Sequence, residues 1–400
     1  MTVNIKSIRS FPIPDRWVVH SYYTLNPYAP DGSGRILCAG CDPDSGIGEV
    51  MILDPDGRVI DRFGRQKVST IFYHTGFWQS WSPDGKGVYF QSSDGDVLHP
   101  RVTLHDLTDG RDYTIDADME GTPSNSDRFM YGLSGMYYAA GYADGCYHPE
   151  LSPIPFTARD RHGLFRASVK ENTNELVISV EQLLELHPLR DRLLEADRRV
   201  DGGLTLMVYC ARYDRTGRHI MFHFGNHCTD KRRGEPKVMS LYTADCDADG
   251  NISNLHCALD MSYDGNGVHW SWANDDSLLG YYKYNGKGVL AGIDADGQNL
   301  RILSDGTPYG GHPSVSPRDD RLIVSDCASD GQGKVCFLYD GEPVDEVRLP
   351  KYDHSVGEIP RGRNRYYVCH HPVFNADGTR VLCNTLPGRC AELCELEIGY

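Results

Sequence analysis

Three histidines stand at one repeated offset in this chain, within His269-Trp-Ser-Trp-Ala-Asn-Asp-Asp276, His312-Pro-Ser-Val-Ser-Pro-Arg-Asp319 and His371-Pro-Val-Phe-Asn-Ala-Asp-Gly378. A fourth copy, Trp78-Gln-Ser-Trp-Ser-Pro-Asp-Gly85, carries Trp78 at that place. Imidazoles that converge can hold a divalent metal or move a proton near neutral pH. Convergence follows if the copies are radial repeats, because equivalent positions of successive units then meet on one axis. Each copy reads as a short strand, a polar turn and an apolar strand such as Val88-Tyr89-Phe90 or Leu322-Ile323-Val324.

The elements that would position them are β-hairpins. Turn signatures recur at Asp54-Pro-Asp-Gly57, Ser82-Pro-Asp-Gly85, Asp214-Arg-Thr-Gly217, Asp247-Ala-Asp-Gly250, Asp294-Ala-Asp-Gly297 and Asn375-Ala-Asp-Gly378. Glycine supplies the left-handed conformation that such turns need, and Asp or Asn bonds its own backbone. Grouping strands around them gives seven units, near 34–60, 74–116, 123–170, 204–260, 268–304, 310–349 and 370–399. Most are the size of a four-stranded propeller blade. Residues 3–12 read as a lone strand that completes the last blade and closes the ring. Glu181–Val200, rich in Leu, Glu and Arg around Pro188, reads as a helical insertion between blades three and four. The expectation is an all-β, seven-bladed β-propeller forming one domain over residues 1–400.

In a propeller the innermost strand of each blade lines the channel, and alternate residues point into it. Aligned on the turns, the channel set is Trp78, Cys210, His269, His312 and His371, followed two residues on by Ser80, Arg212, Ser271, Ser314 and Val373. The three histidines begin a metal site, to which Cys327, His354, Cys369 and His370 from the same blades are candidate additions. The plainer reading is that such histidines only bond neighbouring strand ends. A second group comes from the first half: His74, His99 and the aromatic run Tyr131–Tyr142. Arg159, Arg161 and Arg212 suit a sugar carboxylate, since guanidinium pairs with it bidentately. Surface pairing with Asp is the alternative for these arginines, and blade packing for most of the tyrosines. Lys231-Arg-Arg233 reads as a solvated loop.

The balance of 40 Lys and Arg against 56 Asp and Glu, a net −16, argues against nucleic acid or an anionic membrane as partner. Thirteen Cys is an odd number without a disulfide-like spacing, and Met1–Trp17 has no apolar signal segment. The expectation is a cytoplasmic protein, or a secreted one from which a leader has been removed. No phosphate loop, no Gly-x-Ser-x-Gly and no His-Glu-x-x-His occurs, so nucleophilic catalysis has no support.

The His-Pro-x-x-Ser-Pro-x-Asp repeats, His74-Thr-Gly-Phe-Trp-Gln-Ser-Trp81 and His370-His-Pro-Val-Phe-Asn-Ala-Asp-Gly378 resemble the seven-bladed β-propeller polysaccharide lyases. That group includes oligogalacturonate, ulvan and rhamnosyl-glucuronate lyases. Part of the resemblance, the Ser-Pro-Asp-Gly repeat, is shared with non-enzymatic propellers of the Tol-Pal accessory type. The resemblance implies β-elimination at a uronic acid: a base takes the C5 proton, the C4 oxygen leaves, and Arg or a metal neutralises the carboxylate. Two site versions are implied. In the ulvan-type version His74 and His99 act as base or acid, Tyr142 donates a proton, and Arg159 (or Arg161) and Arg212 neutralise the carboxylate. In the oligogalacturonate-type version His312 and His371 hold a metal and His269 is the base, with Cys369 and Tyr366 where that branch places further ligands. The Arg-based version is favoured, with Trp78, Arg161 and His269 contacting substrate. His312, His371 and His354 then form a structural or auxiliary site for Ca, Mn or Zn. The implied partner is a uronic-acid-containing oligo- or polysaccharide, and the assembly a monomer or homodimer. A non-catalytic propeller binding an oligosaccharide or protein at its channel mouth is the competing expectation.

Overall fold

The six turns expected from sequence all close in the same way. In each, the glycine N–H bonds the carbonyl three residues back at 2.9–3.2 Å, and the glycine φ lies between 67° and 82°. The structure, a computed structural model, describes residues 3–141, 152–227, 233–263, 267–273, 277–306, 310–327, 333–360 and 363–399. Its strands form seven antiparallel sheets, each a meander in chain order apart from the last. These are the seven blades of a β-propeller. Blade 1 runs from Trp17–Val19 to Val59–Lys67, blade 2 from Ser80–Trp81 to Asp112–Asp116, and blade 3 from Arg128–Tyr131 to Thr173–Ser179. Blade 4 spans Met207–Tyr213 to Ile252–Asp260, blade 5 Gly267–Trp272 to Arg301–Ser304, and blade 6 Pro313–Val315 to Glu342–Arg348. Blade 7 joins Val373–Phe374, Arg380–Thr385 and Glu392–Gly399 to Asn4–Phe11. Ile5 pairs with Ile398 and Phe11 with Leu393, so the lone N-terminal strand does close the ring. Blade 3 has three strands among the described residues.

Alternating side chains along each strand fill the wedges between blades. Val50, Phe77, Val88 and Phe90 share one such layer between blades 1 and 2; Leu322, Phe337, Phe374, Val381 and Leu396 share another between blades 6 and 7. Blade 1 begins earlier than expected. Its inner strand Trp17–Val19 is fully buried and pairs Trp17 with Cys41. The turn that follows it, Ala29-Pro-Asp-Gly32, is not among those that group the strands, and the next strand follows only at Ile36–Asp42.

Among the described residues, four short α-helices interrupt the strands: α1 (Phe72–Thr75), α2 (Ser134–Gly141), α3 (Val180–Leu186) and α4 (Arg190–Arg199). The expected insertion is the α3–α4 hairpin, split at Pro188 as proline requires. Ser179 and Gln182 form a reciprocal capping box at its start, at 3.1 and 2.9 Å. Leu183, Leu184 and Leu193 seal it against Leu204, Val208 and Tyr242.

Buried neutral histidines set the acid limit of this fold. Burial lowers the His162 pKa from 6.5 to about 4, although its Nε2 lies 3.2 Å from the Phe156 carbonyl. A depressed folded-state pKa gives stability that is complete above 6.5 and lost as pH falls towards 4. For His162 this amounts to about 3 kcal/mol. His162→Phe is therefore expected to flatten the melting-temperature profile between those pH values, measured by scanning calorimetry. An unchanged slope would assign the acid sensitivity elsewhere.

Candidate active site

The repeated offset proves to be a bulge. Trp78, Cys210, His269 and His371 all adopt positive φ, between 47° and 57°, and the pairing register shifts at Tyr209/Arg212 and Val268/Ser271. A bulged residue is turned out of the ladder, which re-aims its side chain. Here the result is convergence. His269 stacks on His312 at 4.0 Å between ring centroids, and His312 meets His371 edge-on at 4.3 Å. His74, delivered by α1, completes the group at 4.9 Å from His371 and 6.1 Å from His312.

Asp326 organises this cluster from behind. Its carboxylate accepts from His312 Nδ1 at 2.9 and 3.1 Å, from the His312 N–H at 2.6 Å and from the His370 N–H at 3.2 Å. Burial would raise the Asp326 pKa, but the His312 charge and these bonds prevail and hold it well below the usual carboxylate range. His371 turns its Nδ1 to the Ser21 carbonyl at 3.1 Å, and His269 its Nδ1 to the Gly311 carbonyl at 2.7 Å. Burial, together with neighbouring histidines, lowers the pKa of His74, His269 and His371 well below that of free imidazole, so these rings are neutral at pH 7.

One nitrogen each of His74, His312 and His371 lies within 4.8 Å of the others. The Nε2 atoms of His312 and His371 are buried and have no partner. Imidazoles with Nδ1 anchored to a carboxylate or carbonyl and Nε2 free are the usual preparation of metal ligands. The donor set therefore fits a divalent cation, with room for ligands from outside.

Beneath the histidines lies an aromatic pair that the sequence reading did not single out. Tyr22 contacts His74, His312 and His371 at 5.5, 5.7 and 4.7 Å, and Tyr23 lies 5.1 Å from His312. They continue the inner strand of blade 1, which lies before the first unit grouped from the turns. Arg212 sits under both rings, at 5.3 and 5.4 Å, and donates to the Tyr23 hydroxyl at 3.0 Å and to the Trp270 carbonyl. Trp78 packs on Tyr22 at 5.3 Å. Arg363, also missed, lies over the Tyr138 ring at 4.9 Å, and its charge reaches His74 and His227.

Other expected residues stand elsewhere. His99 has its side chain 70% exposed and pairs with Asp96 at 2.9 Å, so it is not brought to the cluster. His354 is exposed on a short 3-10 turn, His354–Val356, and the position expected of it beside His312 and His371 is taken by His74. Arg161 is exposed. Arg159 is spent on structure, holding Asp197 of α4 at 2.5 Å and the Leu204 carbonyl at 3.2 Å. Arg159→Ala should cost about 1–3 kcal/mol of stability by freeing the helical hairpin, read as a lower melting temperature. Tyr142, Lys231 and Arg232 lie outside the described residues.

No family model matches the sequence, and no curated protein sequence does. Solved structures do. An oligogalacturonate lyase in complex with manganese has a TM-score of 0.62 at 15% identity, over 100% of this chain and 96% of that one. An oligogalacturonate lyase from Vibrio parahaemolyticus has a TM-score of 0.60 at 13% identity, over 99% and 97%. The β-propeller domain of Cps50 (Swd1) from Myceliophteria thermophila follows with 0.52 at 13%, over 97% and 99%. At such identities the likeness is one of fold, a seven-bladed β-propeller spanning the whole chain, which oligogalacturonate lyases share.

Proposed function

We propose that the protein is a lyase that cleaves a uronic-acid-containing oligosaccharide by β-elimination, with its site at the histidine end of the channel. The observation that carries this reading is the meeting of His74, His269, His312 and His371 from four separate chain segments around buried Asp326. The likeness to a manganese-bound oligogalacturonate lyase supports the substrate class.

His74, His312 and His371 would hold the divalent cation, which supplies positive charge against the uronate carboxylate and so acidifies the C5 proton. Arg363 adds positive charge on the same side. His269 is the base. With Nδ1 bonded to the Gly311 carbonyl, its tautomer leaves Nε2 as the acceptor, and its neutrality keeps that lone pair available. Tyr22 and Tyr23 close the floor, which keeps the reacting ring against the histidines and excludes water from below. Elimination then breaks the C4–O bond, the leaving oxygen takes up a proton in place of the one held by His269, and a double bond conjugated with the carboxylate remains.

The test is a panel of galacturonate, rhamnosyl-glucuronate and ulvan oligosaccharides, with and without Mn²⁺, followed by the ultraviolet absorbance of the conjugated product. A rise is expected with at least one uronide. A flat trace across the panel would overturn the reading and leave a propeller that binds without cleaving.

A further inference from the structure

The histidine cluster occupies one end of the channel. The other end, beside the Ser82-Pro83 and Ser316-Pro317 turns, holds a cavity of about 490 Å³ that the proposed reaction does not use. That volume falls within the range of about 300–1,000 Å³ typical of small-molecule sites. Its inner wall consists of the residues two positions beyond the repeated offset, namely Ser80, Arg212, Ser271 and Ser314. None of the four clustered histidines lines it. Tyr23 is the partition, touching His269 and His312 on one side and the cavity on the other.

The wall has a definite chemistry. Arg212 is 5% exposed, and its Nη1 is spent on Tyr23 and Trp270. Among the described residues the further partner of the guanidinium is the Cys210 thiol, and Nε and Nη2 are not among the buried unpartnered atoms. Arg212 lines the cavity, so donors on that edge not taken by Cys210 can meet a carboxylate there. The acids nearby are hydrogen-bonded elsewhere, although the charge of buried Glu120, itself on the wall, also acts on Arg212. Glu120 is occupied by Ser134 Oγ and the Ala211 N–H at 2.7 and 2.8 Å, and Asp214 by Thr216, Arg218 and His219.

The hydroxyls point to the rest of the ligand. Ser80 donates its proton to the Trp78 carbonyl at 3.0 Å, and Ser314 to the Pro372 carbonyl at 2.7 Å. Their oxygens are left as acceptors, which suits a partner rich in hydroxyl donors. Trp81 and Trp272 complete the lining with their indole N–H groups already bonded to the Pro27 and Arg212 carbonyls, so they offer carbon surface to a sugar ring.

The geometry points to a second ligand site in this cavity, for a small acidic sugar: a mono- or disaccharide whose carboxylate meets Arg212 and whose hydroxyls meet Ser80 and Ser314. The choice of a uronate as probe rests on the lyase reading; the site itself does not. Calorimetric titration with galacturonate, glucuronate and neutral galactose, in EDTA, tests it. Uronate binding is expected to be at least about tenfold tighter than galactose binding. It should persist in His312→Ala and weaken by about tenfold or more in Ser271→Leu, which fills the cavity, and in Arg212→Gln. Circular dichroism checks that each variant folds; if Arg212→Gln does not, Ser271→Leu decides. Binding lost in His312→Ala but kept in Ser271→Leu, or no uronate binding at roughly 20 mM, would overturn the proposal. Uronate binding with this variant pattern but no elimination product would overturn the lyase reading and leave this site standing.

Discussion

In His371→Ala, binding of Mn²⁺ should fall by at least about 100-fold and uronide turnover with it, while the circular dichroism spectrum stays that of the native propeller. The expectation follows from how the ring is held. His371 is fully buried, its Nδ1 is anchored on the Ser21 carbonyl, and its Nε2 is left without a protein partner. Removing it takes one of three nitrogens from the cluster. Asp326→Asn provides the graded comparison. It keeps the shape but removes the charge that orients His312, and a loss of about 10–100-fold in metal affinity is expected. Calorimetric titration of the metal reads both. Affinity unchanged in His371→Ala would mean that these nitrogens hold no cation and that the cluster is a packing feature.

The second large effect separates proton abstraction from metal binding. His269→Gln should lower turnover by about 10²–10⁴-fold while leaving Mn²⁺ affinity within about threefold of wild type. Glutamine retains a donor for the Gly311 carbonyl and has no basic nitrogen, so the fold of the bulge is spared while the base is lost. The stack of His269 on His312 makes this a demanding test, because a structural role would disturb the metal as well. Turnover close to wild type would move the base to another residue of the cluster, with His74 the next to examine.

How much of this was legible before the fold was seen depends on period. The six turns and six of the seven units carry local signals and appear where those signals place them, blade 1 beginning earlier. His269, His312 and His371 were found because they keep one offset from a repeated turn position, at positive φ in His269 and His371. Residues supplied by segments without period escaped or misled. His74 comes from a four-residue helix in a connection, and its place beside His371 rather than beside His99 could not be read from spacing. His99 and His354 have the right side chain for the chemistry, but both sit on exposed irregular segments. Arg159 reads as a carboxylate contact, with pairing to a nearby Asp as the alternative; its partner Asp197 lies in the helical insertion, and only the tertiary fold brings them together. Tyr22 and Tyr23 belong to blade 1, whose inner strand precedes the first unit grouped from the turns.

The closure of blade 7 sets a clock on the biogenesis of this site. Residues 4–11 find their strand partner in residues 393–399. During synthesis at about 5–20 residues per second, the earliest strand must wait tens of seconds with an unpaired edge while the rest of the ring is made. His371 and Tyr22, drawn from opposite ends of the chain, cannot meet until that wait is over. A ribosome-stalled chain in which residues 392–399 have not yet emerged would thus hold most of the blades in an unclosed ring, with the histidine cluster not yet locked in place.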